Sequence, residues 1–128
     1  MKATGMTSEK AVAVIDDDAS VRTSLEDLLQ SFGYATMAFA SAEEFLASNL
    51  GLVDCVISDI QMPGMSGLEI QPLLRKRGVM CAVILLTAFP SEQVRTRARK
   101  LNVHDFFEKP CNPEALIASV ERALAPTA

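Results

Sequence analysis

Apolar positions recur along this chain with two alternating spacings. Short, solidly apolar and often β-branched runs stand at residues 11–15, 34–39, 53–58, 82–86 and 103–107. Runs of that length and texture predict strands buried on both faces. Between them, apolar residues fall three and four apart, the spacing of one helix face. Val21, Leu25, Leu28, Leu29 and Phe32 form the first such stripe, with Asp18 as its cap and Gly33 as its stop. Leu68, Ile70, Leu73 and Leu74 form another, and Leu116, Ile117, Val120 and Leu124 the last.

The helix starts are written in polar residues. Ser41 with Glu44, and Ser66 with Glu69, have the spacing of capping boxes. They predict a second helix running to about residue 48 and a third opening at Ser66. Pro72 falls inside the third, where its ring removes a donor and crowds the preceding turn, so a kink or a delayed start is expected. Ser91 opens a charged fourth helix to about Leu101, and Asn112-Pro113 opens the fifth. Five strands alternating with five helices predict an α/β fold, a parallel sheet covered on both faces by right-handed crossovers.

Composition narrows the classes. The chain has 128 residues, 49% of them hydrophobic, enough for one domain with a proper core over residues 11–125. Residues 1–10 are polar and are expected to form a disordered tail, without the pattern of a signal sequence. No stretch is apolar enough to span a bilayer, so no membrane contact is expected. A net charge of −4 argues against direct nucleic-acid contact. Cys55, Cys81 and Cys111 are widely spaced and odd in number, which fits free thiols and a cytoplasmic address.

The chemistry gathers at the strand ends. The first strand runs into Asp16-Asp17-Asp18, the third into Asp59, the fourth into Thr87 and the fifth into Glu108-Lys109-Pro110. Open α/β sheets place ligands at the carboxyl ends of their strands. Carboxylates meeting there at ~4 Å would repel by roughly 4 kcal/mol per pair, so the cluster must take up protons or a cation. Oxygen ligands without histidine or thiolate favour Mg²⁺, which typically serves phosphate chemistry. Lys109 and Thr87 suit phosphoryl oxygens, and a carboxylate is an established phosphoryl acceptor. The inferred reaction is transfer of a phosphoryl group onto an aspartate.

Val14-Ile15-Asp16-Asp17-Asp18, the run from Ile57 through Asp59-Ile60-Gln61-Met62-Pro63-Gly64 to Gly67, Leu86-Thr87-Ala88 and Phe107-Glu108-Lys109-Pro110 occur in one order and spacing. Together they resemble the receiver domain of bacterial two-component response regulators. Ser41-Ala42-Glu43-Glu44-Phe45-Leu46 resembles the FixJ-type subgroup. The resemblance implies a flavodoxin-like, doubly wound five-stranded sheet of order 2-1-3-4-5. It implies Asp59 as phospho-acceptor, and Mg²⁺ held by Asp17, Asp59 and the Gln61 carbonyl, with Asp16 acting through water. Thr87 and Lys109 would grip the phosphoryl oxygens, and Phe106 would swing inward on activation. The donor implied is a sensor histidine kinase or a phosphotransfer protein, and the resemblance admits a phosphorylation-dependent homodimer. Such a receiver is a signalling switch with self-phosphorylating and self-dephosphorylating chemistry, and not an enzyme by role. A cis Lys109-Pro110 bond is also implied. Gln61 and Phe89 occupy the positions that tune loss of the phosphoryl group in that family, and Phe89 offers no polar atom to orient water.

A different class is a small phosphohydrolase using Asp16 and Asp18 in an Asp-x-Asp motif. It requires a second acidic cluster late in the chain, for which Asp105 and Glu108 are the candidates. The single histidine, His104, is expected to be a surface or hydrogen-bonded residue. Arg95, Arg97, Arg99 and Lys100 are expected to form a solvated helix face.

Overall fold

The computed structural model describes residues 9–125, so most of the expected tail lies outside the described residues. Strands β1 (Ala11–Ile15), β2 (Ala35–Phe39), β3 (Cys55–Asp59), β4 (Ala82–Thr87) and β5 (Asp105–Glu108) form one sheet of order β2-β1-β3-β4-β5. Every pairing is parallel, as the apolar texture of the strands predicts. The register sets Ile15 beside Phe39 and Ser58, Asp59 beside Leu86, and Thr87 beside Glu108. All the polar strand ends therefore lie along one edge.

Side chains alternate across a strand, and each face of this sheet builds its own core layer. Val12, Val14, Cys55, Ile57, Ile84 and Leu86 meet Leu29 of α1 (Ala19–Ser31) and Leu116, Ile117 and Val120 of α5 (Pro113–Leu124). Ala13, Ile15, Val56, Val83 and Leu85 meet the other helices: Phe45 and Leu46 of α2 (Ala42–Leu46), Ile70 and Leu74 of α3 (Ile70–Lys76), and Ala98 of α4 (Glu92–Leu101). Full burial of a Val, Leu or Ile side chain stabilises by about 1.5–3 kcal/mol, so these layers fix the strand ends rigidly.

Local signals explain most helix boundaries. Asp18 accepts from the Ser20 and Val21 amides, and Gly33, at φ 90°, ends α1 where a side chain would be strained. Asn112 and Pro113 start α5 as expected. The third helix differs from its expected opening. Ser66 and Glu69 do form a capping box, but it closes a 3₁₀ turn over Gly67–Glu69, and α3 begins at Ile70. That delay puts Pro72 in the first α-helical turn, where its missing N–H has no intrahelical partner to lose. The second box is also modified: Ser41 accepts from Glu44, but the Glu44 carboxylate accepts from Ala40 and not from Ser41. Helix α2 ends at Leu46, short of residue 48.

Candidate functional site

Four strand ends deliver the site. Asp16 follows β1 and is held in the sheet by its amide donating to Phe39 at 3.1 Å. Its carboxylate is 1% exposed; Oδ1 accepts from the Asp18 amide at 2.9 Å and Oδ2 from the Lys109 ammonium at 2.8 Å. Arg22 donates to the Asp16 carbonyl at 2.6 Å and pins the turn from α1. Asp17 is exposed beside it, while Asp18 is committed to capping α1. Asp59 closes β3 at 6% exposure. Carboxylate oxygens of Asp16, Asp17 and Asp59 all lie within 4.8 Å of one another.

Among the described residues, Lys109 is the cation paired with this cluster. The Lys109 Nζ lies 3.4 Å from Asp59 Oδ1 but is directed at Asp16, and Asp59 Oδ1 is a buried oxygen with no hydrogen-bond donor. Burial lifts the Asp59 carboxyl above the ordinary aspartate range; the Lys109 charge opposes that and the Asp16 charge adds to it. For Lys109, burial works to lower the pKa, but the bond to Asp16 and the two carboxylate charges outweigh it and hold the ammonium above its usual value. A buried carboxylate oxygen without a donor, among hard oxygen ligands, fits a Mg²⁺ ion.

Thr87 ends β4 with no exposed surface. Its hydroxyl accepts from the Phe89 amide at 3.0 Å and donates to Gln61 Oε1 at 2.7 Å. Gln61 thus reaches Thr87 through its side chain. Phe106 stands in register with Leu85 on β5, diagonal to Thr87, and is partly buried against the α2–α4 layer. The Lys109-Pro110 bond is cis, as expected.

Two residues that shape the site carry no signal of their own in the sequence reading. Glu43 of α2 accepts from the Met65 amide at 3.1 Å and so ties the loop after Asp59 to the neighbouring helix. Gly67 donates to the Ile60 carbonyl at 3.0 Å, and a Cβ there would sit 2.2 Å from the Asp59 carbonyl oxygen. The Ser41–Leu46 motif contains Glu43, and the Pro-Gly turn precedes Gly67; neither shows by itself which residue they would meet.

The phosphohydrolase reading finds no second acidic cluster among the described residues. Asp105 starts β5, at the opposite edge of the sheet, and accepts from Ser119 and Arg122; Glu108 is bound to Arg95. His104 is hydrogen-bonded to the Ser119 carbonyl at 3.0 Å, away from the site.

The profile of the response regulator receiver domain matches residues 12–121. The transcriptional regulatory protein FixJ of Azorhizobium caulinodans is 42% identical over 118 residues, 91% of this chain and 56% of that protein. The transcriptional regulatory protein TdiR of Thauera aromatica is 37% identical over 126 residues, 98% of this chain and 56% of that protein. The chain thus spans little more than half the length of these curated relatives. Among solved structures, that of FixJ-N superposes with a TM-score of 0.83 at 31% identity, covering 95% of this chain and 99% of the other. That of Vibrio cholerae chemotaxis protein CheY4 superposes with the same score at 28% identity, covering 91% and 100%.

Proposed function

The chain belongs to the response regulator receiver domain family, with FixJ regulators among its relatives, and from that membership we propose that it works as a Mg²⁺-dependent phosphoryl switch centred on Asp59. The observation that carries the reading is the buried Asp59 Oδ1 without a donor, facing Asp16, Asp17 and Lys109. The donor is the phosphohistidine of a sensor kinase or phosphotransfer protein. An Asp59 oxygen forms the new bond to phosphorus as the phosphorus–nitrogen bond of the donor breaks, and the imidazole leaves with that electron pair.

Asp16, Asp17, Asp59 and the Gln61 carbonyl are the residues that would hold Mg²⁺. The ion would neutralise charge growing on the phosphoryl oxygens. Lys109 supplies a point charge to the same oxygens, and the Thr87 hydroxyl donates to one of them. An apolar groove of about 570 Å³, walled by Val21, Leu25 and Leu28 of α1 and by Pro110 and Leu116, opens beside Lys109. It offers a donor protein an apolar seat next to the acceptor.

Phosphorylation alters protein contacts by drawing Thr87 toward Asp59, which opens space that Phe106 fills by turning inward. A ligand shifts such an equilibrium only by its differential affinity for the two states, and new charge-assisted bonds from Thr87 and Lys109 provide that difference. The reading predicts a single phosphoryl adduct by intact mass after incubation with acetyl phosphate and Mg²⁺. The adduct should be lost in chelator and lost in Asp59→Asn. A full adduct on the Asn variant would overturn the assignment of Asp59.

A further inference from the structure

We infer that the Gln61 side chain is a latch on the switch, holding the one proton that Thr87 must give to the phosphoryl group. The inference rests on the acceptor reading of Asp59. Thr87 is fully buried, and its hydroxyl carries a single proton. That proton is donated to Gln61 Oε1 at 2.7 Å, while the Phe89 amide at 3.0 Å occupies a lone pair of the same oxygen. The hydroxyl is thereby aimed along a fixed direction. It can donate to an oxygen on Asp59 only after Gln61 lets go.

The two partners sit on different parts of the scaffold. Thr87 ends a strand locked between β3 and β5, whereas Gln61 lies two residues past the end of β3, in the turn whose far side is tied to Glu43 of α2. Gln61 is partly exposed, so its released carbonyl can turn to water. Release is therefore affordable in one direction only: Gln61 finds a substitute partner in solvent, and the buried Thr87 hydroxyl finds one in the phosphoryl oxygen. The latch raises the threshold for activation without touching the metal ligands, because the Gln61 atom proposed to face the ion is the backbone carbonyl and not the side chain.

Removing the latch should make the activated arrangement easier to reach. A neutral hydrogen bond of ordinary net worth corresponds to roughly 2- to 12-fold in an equilibrium constant. Gln61→Met keeps the length of the side chain and deletes its acceptor. The test is calorimetric titration of the full chain with beryllofluoride in the presence of Mg²⁺, in a double-mutant cycle with Thr87. Gln61→Met should tighten beryllofluoride binding by about 2- to 12-fold in the native and Thr87→Ser backgrounds, which both keep a hydroxyl. In Thr87→Ala it should change nothing. A general loosening of the turn would act equally in all three backgrounds, and that result would overturn the latch. Unchanged affinity in Gln61→Met with a native Thr87 would overturn it as well, while leaving the acceptor reading intact. No binding of beryllofluoride by the native chain would remove the acceptor reading, and the latch with it. Thr87→Val, similar in shape and also without a hydroxyl, guards against loss of fold in Thr87→Ala: Gln61→Met should bring no gain there either, and a gain in it would overturn the latch.

Discussion

Replacing Asp59 by Asn should stabilise the protein in chelator, although it deletes the proposed acceptor. Asp16 and Asp59 oxygens lie within 4.8 Å. At an effective dielectric near 20, two like charges at that separation repel by about 3.5 kcal/mol. The Lys109 ammonium at 3.4 Å returns about 5 kcal/mol on the same scale. Attraction alone would therefore favour the charged form, but two costs remain. Asp59 is 6% exposed, and desolvating an ion costs several kcal/mol; exposed Asp17 adds a further, largely screened repulsion. The upward displacement of the Asp59 pKa gives the sign of the balance, which is against the charge. The expected gain for Asp59→Asn is of order 1–3 kcal/mol at pH 7.5, read as a higher urea midpoint with an unchanged slope. A raised folded pKa means that the folded protein binds this proton more tightly than the unfolded chain does. The destabilisation is thus complete above the folded pKa and vanishes below the ordinary aspartate value of about 3.9. The gain should shrink as pH falls through that window. Added Mg²⁺ should stabilise the native protein by mass action and the variant far less, closing the gap. A variant less stable than the native protein in chelator, or a gain that grows on acidification, would refute the reasoning.

Other consequences follow from neighbouring geometry. Gly67→Ala places a methyl group 2.2 Å from the Asp59 carbonyl oxygen, against backbone that cannot yield, and should cost about 1–3 kcal/mol or more in thermal or urea unfolding. An unchanged midpoint would show that the turn adapts. Burial pushes the Cys55 thiol up to about 12, so alkylation at pH 8 should label partly exposed Cys111 well before Cys55, as peptide mapping would show. Glu43→Ala should cost about 0.5–1.5 kcal/mol and speed exchange of the Met65 amide; unchanged exchange would mean that the loop is held elsewhere.

The layers of the fold were legible because burial on both faces forces a strand to be apolar throughout, and such runs stand out at residues 11–15 and 82–86. Boundaries were less so, for local reasons. The third strand begins at Cys55 and not at residue 53, since Leu50–Leu52 forms a 3₁₀ turn and the Val53 amide donates to Leu50. The same strand runs one residue further than its apolar texture, taking Asp59 into the ladder beside Leu86. The fifth starts at Asp105 after Asn102, which sits at φ 57° and ends α4. Pro72 announced trouble in the third helix, but whether it would kink the helix or delay it depended on the 3₁₀ turn that Ser66 and Glu69 cap.

The site divides along a different line. That Asp16, Asp17, Asp59, Thr87 and Lys109 meet at one sheet edge follows from strand order alone, because Asp16, Asp59, Thr87 and Lys109 are fixed to strand ends by backbone hydrogen bonds and Asp17 is the next residue after Asp16. The hydrogen-bond partners chosen within that edge do not follow. Gln61 meets Thr87 across 26 residues and Glu43 meets Met65 across 22, through turns whose paths no local spacing encodes. These long-range choices decide which protons are free. Lys109 has three protons and can serve Asp16 while still attracting Asp59, so its partner in the structure does not commit it. Thr87 has one, and in the structure it is already given. Residue types at strand ends thus set what chemistry the edge can perform, while the loop-borne partner of a single hydroxyl sets how readily it begins.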